Sequence, residues 1–388
     1  MTIQNVAARY EDYVIKMRRY FHENPEPSGK EYNTSKVIKE ELDKAGIEWI
    51  PCGMETGILA TVKGAKPGKT ILLRGDIDAL EVEETTGAEY ASKNPGVMHA
   101  CGHDCHGAML LTAAKVLNEM KDELCGTVKF AFQPAEETAV GARAMIDEGA
   151  LEGVDGAFGI HIWSDVPAGK ISCDDGPRMA SVDWFKIDVK GKGCHGAAPH
   201  QGVDAAVVTS AMVNNLQTIA SRYIAPVEPV VVTVGSIEVG SRWNVVAENG
   251  HMEGTIRTFS KDVYEAVPQL VERVVKETAA TFGAEGTFTN NRLLPPTINN
   301  NEFAAMVRES VKKVAGEDGN LQTPPTMGGE DMSMFLNEVP GAIALLGCYN
   351  EECGAVWPQH SGNYCIDESV LIKGVMLYAQ VAMDHNAK

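Results

Sequence analysis

The chain has 388 residues, 44% hydrophobic and 22% charged: the composition of a folded globular protein, and more length than one hydrophobic core usually holds, so two domains are expected. Its 53 acidic against 34 basic side chains give a formal net charge of -19, which disfavours a nucleic-acid partner, and no apolar stretch is long enough to span a bilayer. The first residues pass directly into mixed polar sequence and the nine cysteines are odd in number, so reduced thiols and a cytoplasmic location are the expectation.

Residues 9–22 and 33–45 read as helices, the second because Val37, Ile38, Leu42 and Ala45 recur at helical spacing and Gly46 supplies a stop. Between them Asn24-Pro25-Glu26-Pro27-Ser28-Gly29 is a strong break. Residues 58–62 and 70–74 read as strands, and the second delivers Asp76 and Asp78 just past its end. A helix is expected over 107–120, with Met109, Leu110, Leu111, Ala114 and Leu117 inward, so that Cys101-Gly102-His103-Asp104-Cys105-His106 stands immediately before a helix start. Strand 127–133 then runs into Pro134-Ala135-Glu136-Glu137, followed by a helix over 141–148 and a strand over 156–162 that carries His161. Such repetition predicts an α/β core whose ligands emerge at strand ends.

Near residue 183 the pattern changes. Strand 184–190, helix 203–221, strands 229–237 and 250–258, helix 263–281 and strand 284–290 give the order βαββαβ of a ferredoxin-like sandwich, with one sheet face left available to a partner subunit. After Pro295-Pro296 the α/β pattern resumes with helices 302–314 and 330–337, strand 342–346 and helix 368–385. The expected organisation is therefore a catalytic domain of residues 1–182 and 296–388, interrupted by a satellite domain of residues 183–295.

Cys101 and His103 flank Gly102, and a thiolate and an imidazole brought together by a tight glycine turn are ordinary ligands for zinc and similar ions. His99, Asp104, Cys105 and His106 crowd the same segment, so spacing alone leaves the ligand set open, and a buried cysteine beside a histidine satisfied by a carbonyl is the plain alternative. That alternative weakens once Glu136, Glu137 and His161 also leave predicted strand ends. If one of two neighbouring glutamates faces a cation and the other a water, one is a ligand and the other a base. A late polar loop, Trp357-Pro358-Gln359-His360-Ser361-Gly362-Asn363, holds a further histidine, whereas Cys348 and Cys353 lack CxxC spacing and read as scattered small hydrophobes.

Assembled, these segments resemble the two-metal amidohydrolase and metallopeptidase family that contains aminoacylases, hippurate hydrolases and hydrolases of indoleacetyl-amino-acid conjugates. The matches run in that family's order over nearly the whole chain: Arg74 to Leu80, Met98 to His106, Gln133 to Glu137, Gly159 to His161, Gly191 to His200, Asn244 to Val246, Gly254 to Arg257, Gly328 to Asp331, and His360. The resemblance implies a zinc-peptidase-like α/β catalytic domain in which Cys101, His103, Glu137, His161 and His360 hold two divalent ions. It further implies Cys101 as the bridging ligand, His103 and His161 completing one ion, Glu137 and His360 completing the other, and Glu136 as general base.

Asp78 and Asp104 are expected to orient ligating imidazoles, with turn or helix caps as their alternative role. His195 matches a satellite-domain histidine that helps polarise the scissile carbonyl, often across a dimer interface. Asn244 and Arg257 match positions near the substrate pocket and suit a substrate carboxylate, although Arg257 also reads as a salt bridge at a sheet edge, and Gly329, Glu330 and Asp331 are expected to shape the cavity and cap the next helix. The chain departs from the pattern at Glu81, where the family usually has proline, and at His360-Ser361-Gly362, where it usually has His-Ser-Pro. The implied activity is hydrolysis of a small N-acyl amino acid, or a short peptide, by a homodimer using zinc or manganese, with cobalt also compatible. The alternatives are a dipeptidase or carboxypeptidase and a non-catalytic metal-stabilised binding protein.

Overall fold

The computed structural model describes residues 2–387, which divide into two compact units. The first runs up to Gly176 and includes Asn299–Pro324 and everything from Glu330 onward; the second is Pro177–Ile298 with Pro325–Gly329. The second unit is thus wider than the 183–295 read from sequence, because Met179 bridges Thr326 and the Ala180 N–H donates to the carbonyls of Thr326 and Gly328. Such main-chain pairings between distant segments carry no local sequence signal.

The first unit is built on a seven-stranded sheet in the order Glu48–Pro51, Ile58–Lys63, Cys125–Gln133, Lys66–Asp76, Gly156–Pro167, Gly341–Tyr349, Ile171–Ser172. The four central strands are parallel and the outer ones antiparallel. Parallel strands covered on both faces read as continuous apolar runs, as in Ile71, Leu72 and Leu73 or Phe130, Ala131 and Phe132, all buried. The helix His103–Glu119 is buried along nearly its whole length, and Leu110, Leu111, Val116 and Leu117 each contribute about 1.5–3 kcal/mol by leaving water. Gly75 lets its first turn close on the sheet, since a Cβ there would meet the His106 carbonyl oxygen at 2.9 Å. Because the central strands share a direction, Asp76, Gln133 and the His161 segment come to one sheet edge, where open α/β sheets place their ligands.

The second unit has the expected βαββαβ order. Its four-stranded antiparallel sheet runs Val230–Val239, Asn249–Thr258, Val182–Lys190, Glu285–Leu294, with helices Ala205–Thr218 and Lys261–Thr281. Phe185, Ile187 and Val189 alternate inward along one strand and meet Val208, Met212, Val267, Val271 and Val275 of the helices in a separate core. Asp204 and Ser260 cap those helices by accepting from the N–H groups of Ala206 and Val263. Among the described residues no helix is long and apolar enough to cross a membrane.

Candidate metal centre

The helix expected from residue 107 begins at His103, so His103, Asp104 and His106 belong to its first turn. Gly102 makes this possible: its φ of 90° is left-handed, its carbonyl accepts from the N–H groups of Cys105 (2.9 Å) and His106 (3.3 Å), and a Cβ on it would lie 2.3 Å from Ile162 Cγ2. At roughly 100° per residue the three side chains of that turn point to different neighbours.

His103 Nδ1 lies 3.1 Å from Asp78 Oδ1 and 3.0 Å from the Asp78 carbonyl, so this nitrogen donates and Nε2 is the atom turned toward the cluster. Asp78 Oδ2 accepts from Ser28 Oγ (2.6 Å) and from the Glu137 N–H (3.1 Å), which ties His103 and Glu137 to one carboxylate. His161 Nδ1 donates to the Ile162 carbonyl at 2.6 Å and turns Nε2 toward Cys101 Sγ, 3.6 Å away. After the strand Cys125–Gln133, Ala135 adopts a left-handed φ of 53°, reversing the chain just before Glu136 and Glu137. His360, also left-handed at φ 65°, donates its N–H to the Ala100 carbonyl (2.8 Å) and places Nε2 3.6 Å from Glu137 Oε1. His106 is different: Nδ1 faces Asp76 Oδ1 and Nε2 accepts the Ile162 N–H at 2.8 Å, so neither nitrogen is left for an ion.

Ligand-capable atoms of Cys101, His103 and His161 lie within 4.8 Å of one another, as do those of Cys101, Glu137 and His360, and those of His103, Glu136 and Glu137. Cys101 is common to the first two groups. Burial, reinforced by Glu330 and Asp331, pushes Glu136 well above the usual carboxylate range, and burial likewise raises Glu137 and the Cys101 thiol. Burial and the neighbouring His106 keep the His161 ring neutral. Burial disfavours charge on His103 too, but Asp76 and Cys101 outweigh it and raise its proton affinity, so this ring draws positive charge into the cluster. The cluster is therefore short of positive charge, and His103 Nε2 and Glu137 Oε1 are buried without a hydrogen-bond partner. Those orphaned atoms, in a mixed nitrogen, sulfur and oxygen donor set, fit two divalent cations.

Asp104 departs from expectation. Its Oδ2 accepts from Arg18 Nε at 2.8 Å and lies 2.8 Å from His22 Nδ1, and its Oδ1 accepts the Cys105 N–H, so its contacts are with the helix Glu11–Glu23 rather than a candidate ligand. Asp76, read in the sequence beside Asp78 as an acid at a strand end, has a role that reading did not assign. It pairs with Arg74 at 2.7 Å, lies 3.6 Å from His103 Nε2 and fixes His106, a role that sequence hints at only through an acid at a strand end. Asp331 accepts from Arg74 (2.6 Å) and Gln133 (2.6 Å), and its N–H points to Glu136 Oε1 at 3.3 Å.

In the second unit His195 is exposed, and its Nδ1 accepts the Ala197 N–H at 3.0 Å. The short strand carrying it pairs His195 with Val245, and Gly196 donates to the Asn244 carbonyl, so His195 and Asn244 are neighbours. Arg257 lies near the far end of Asn249–Thr258, where its guanidinium donates to Thr255 Oγ1 and the Ile256 carbonyl.

A parallel-centred α/β sheet presenting two ligand groups that share a cysteine beside a spare glutamate defines a dinuclear metallohydrolase. Residues 72–384 match the model of peptidase family M20/M25/M40, and the chain belongs to that family. It is 41% identical to thermostable carboxypeptidase 2 of Saccharolobus solfataricus, over all of this chain and 98% of that protein. It is 39% identical to the N-acetyl-L-cysteine deacetylase of Bacillus subtilis, over 94% of this chain and 86% of that one. The crystal structure of the Bacillus subtilis YXEP protein, described as a dinuclear metal binding peptidase of the M20 family, superposes with a TM-score of 0.86 at 35% identity over 97% and 98% of the two chains.

Proposed function

We propose that this protein is a metal-dependent amidohydrolase that cleaves N-acyl amino acids to a carboxylic acid and a free amino acid. The observation that carries the reading is the pair of ligand groups meeting at Cys101 with Glu136 left over beside them. Cys101, His103 and His161 would hold one divalent ion, and Cys101, Glu137 and His360 the other; zinc suits the thiolate, and manganese or cobalt suits the imidazole and carboxylate donors. When bound, two such ions supply Lewis acidity at the scissile carbonyl and lower the pKa of water.

The chain's own residues move the proton. The Asp331 N–H holds Glu136 Oε1, which leaves Oε2 as the atom to take the proton of the attacking water and return it to the departing amine. Burial among acids raises the proton affinity of Glu136 above that of an ordinary carboxylate, the direction a general base needs. Asp78 orients His103 through Nδ1 and holds the Glu137 main chain. His195, with Nδ1 engaged as an acceptor, has Nε2 as its N–H donor for the substrate carbonyl, and Asn244 and Arg257 are candidates for the substrate carboxylate.

The working unit in this reading is a cytoplasmic homodimer. Its support is that all nine cysteines are unpaired, and that the edge strand Val230–Val239 exposes Ile237 and Val239 close in sequence to Trp243, which is 90% exposed. The carboxypeptidase named among the similar proteins makes peptide cleavage the second reading. Assaying N-acetyl and N-benzoyl amino acids against the matching free dipeptides, each with zinc, manganese or cobalt, separates the two. Turnover of dipeptides alone would overturn the N-acyl assignment, and turnover by ion-free protein would overturn the metal-dependent reading.

A further inference from the structure

The peptide at Ile162 is a junction. Its N–H donates to His106, and its carbonyl receives both the His161 Nδ1–H at 2.6 Å and the side-chain amide of Gln359 at 3.1 Å. A carbonyl oxygen has two lone pairs, so one atom sets the ring of His161 and also anchors the chain one residue before His360. Ser164 Oγ donates to the other end of the same amide, which fixes its orientation.

The two imidazoles joined in this way fall in different ligand groups: His161 with Cys101 and His103, His360 with Cys101 and Glu137. They are not held equally. His161 is buried within a sheet strand, whereas the His360 side chain is 57% exposed on a loop whose preceding residues, Val356 and Trp357, are exposed as well. Downstream the loop is tied by the Thr85 N–H to the Gly362 carbonyl (2.7 Å), and the His360 main chain by its N–H to the Ala100 carbonyl (2.8 Å); the side-chain tie to the strand is Gln359.

We propose that Gln359 is a positioning residue for one cation of the pair, an inference that rests on the two-cation reading above. By binding the carbonyl that orients His161, its amide holds His360 in the same frame as Glu137 and Cys101. If the amide is removed, His161 keeps its own bond to Ile162, but the loop loses its register to the strand. The ion served by His360 should weaken while the ion served by His103 and His161 does not.

The test is calorimetric titration of the chelator-treated full-length protein with manganese(II), comparing the parent with Gln359→Ala, Gln359→Met and Ser164→Ala, alongside melting of each ion-free protein. Support would be two ions in the parent, one parental and one about 10–100-fold weaker ion in both Gln359 variants, a smaller loss in Ser164→Ala, and unchanged ion-free melting. Methionine keeps the side-chain length without the amide, so equal losses in both variants assign the effect to the hydrogen bond. Parental affinity for both ions in either Gln359 variant, or equal weakening of both ions, overturns the inference. A parent that takes fewer than two ions overturns the two-cation reading itself, and the inference with it.

Discussion

Two clusters of buried charge meet different residues of the turn that opens the helix His103–Glu119, and they are built on opposite principles. Around Arg18 the charged groups answer one another: the guanidinium meets Asp104 at 2.8 Å, Glu368 at 3.2 Å and the Tyr90 ring at 4.9 Å, while His22 meets Asp104 and, at 3.3 Å, Glu84. Burial alone would raise Asp104, yet Arg18 and His22 hold it far below its usual value. Around Cys101 the balance fails: Glu136 and Glu137 are pushed up, and His103 Nε2 and Glu137 Oε1 have no hydrogen-bond partner. Closed ion-pair networks make architecture, whereas a buried donor set short of positive charge makes a place for cations.

The sharpest way to break the contrast is Glu136→Gln. Turnover should fall about 10²–10⁴-fold, the usual contribution of a general base, with both ions retained by metal analysis. Near-parental kcat with full ion content would remove Glu136 from the chemistry. On the closed cluster, Arg18→Met leaves Asp104 buried without its cation and should cost about 3–5 kcal/mol in urea unfolding while ion stoichiometry stays at two. If that variant lost its ions and kept its stability, the roles assigned to the two clusters would be reversed.

Chelation should act only on the open cluster. With the ions at a hundredfold excess over Kd, loaded protein gains about 2.7 kcal/mol per site over stripped protein, visible as a higher melting midpoint, and equal midpoints would argue against cations in the native site. The smallest effect lies at a partly buried carboxylate away from both clusters. Burial tends to raise Glu41, but hydrogen bonds from Lys115, Lys44 and Tyr13 win and hold its carboxyl at about 2, against an ordinary 4.5. A lowered folded pKa stabilises fully above pH 4.5, and the gain is lost as pH falls toward 2. Discounted for solvent screening it is worth about 1 kcal/mol, so Glu41→Gln should reduce the difference in unfolding free energy between pH 5 and pH 2.5 by about that amount.

Much of this was legible in advance, and for identifiable reasons. Parallel strands advertise themselves as apolar runs such as Ile71 to Leu73, and the second unit's strands alternate as Phe185, Ile187 and Val189 do, so the α/β core and the βαββαβ insertion could be read. The start of the buried helix could not, because His103, Asp104 and His106 look like loop polarity until Gly102 is seen to be left-handed. Asp104 was assigned to the wrong neighbour for the same reason. A carboxylate in a metal-ligand motif looks like a ligand's partner, and only the packing of Glu11–Glu23 shows it answering Arg18.

Residue types and their order were enough to specify the chemistry on offer: a thiol, imidazoles and two adjacent carboxylates at strand ends of an acidic α/β protein. Which atoms face one another was settled by folding alone. That Asp78 joins His103 to Glu137, that His106 is consumed by Asp76 and Ile162, and that Gln359 and His161 share one carbonyl all depend on hydrogen bonds between segments tens to hundreds of residues apart. Hydrophobic periodicity is a local property and survives in the linear chain, whereas a hydrogen bond needs a direction and a partner, and both exist only once the strands have paired and the helix has closed on Gly75.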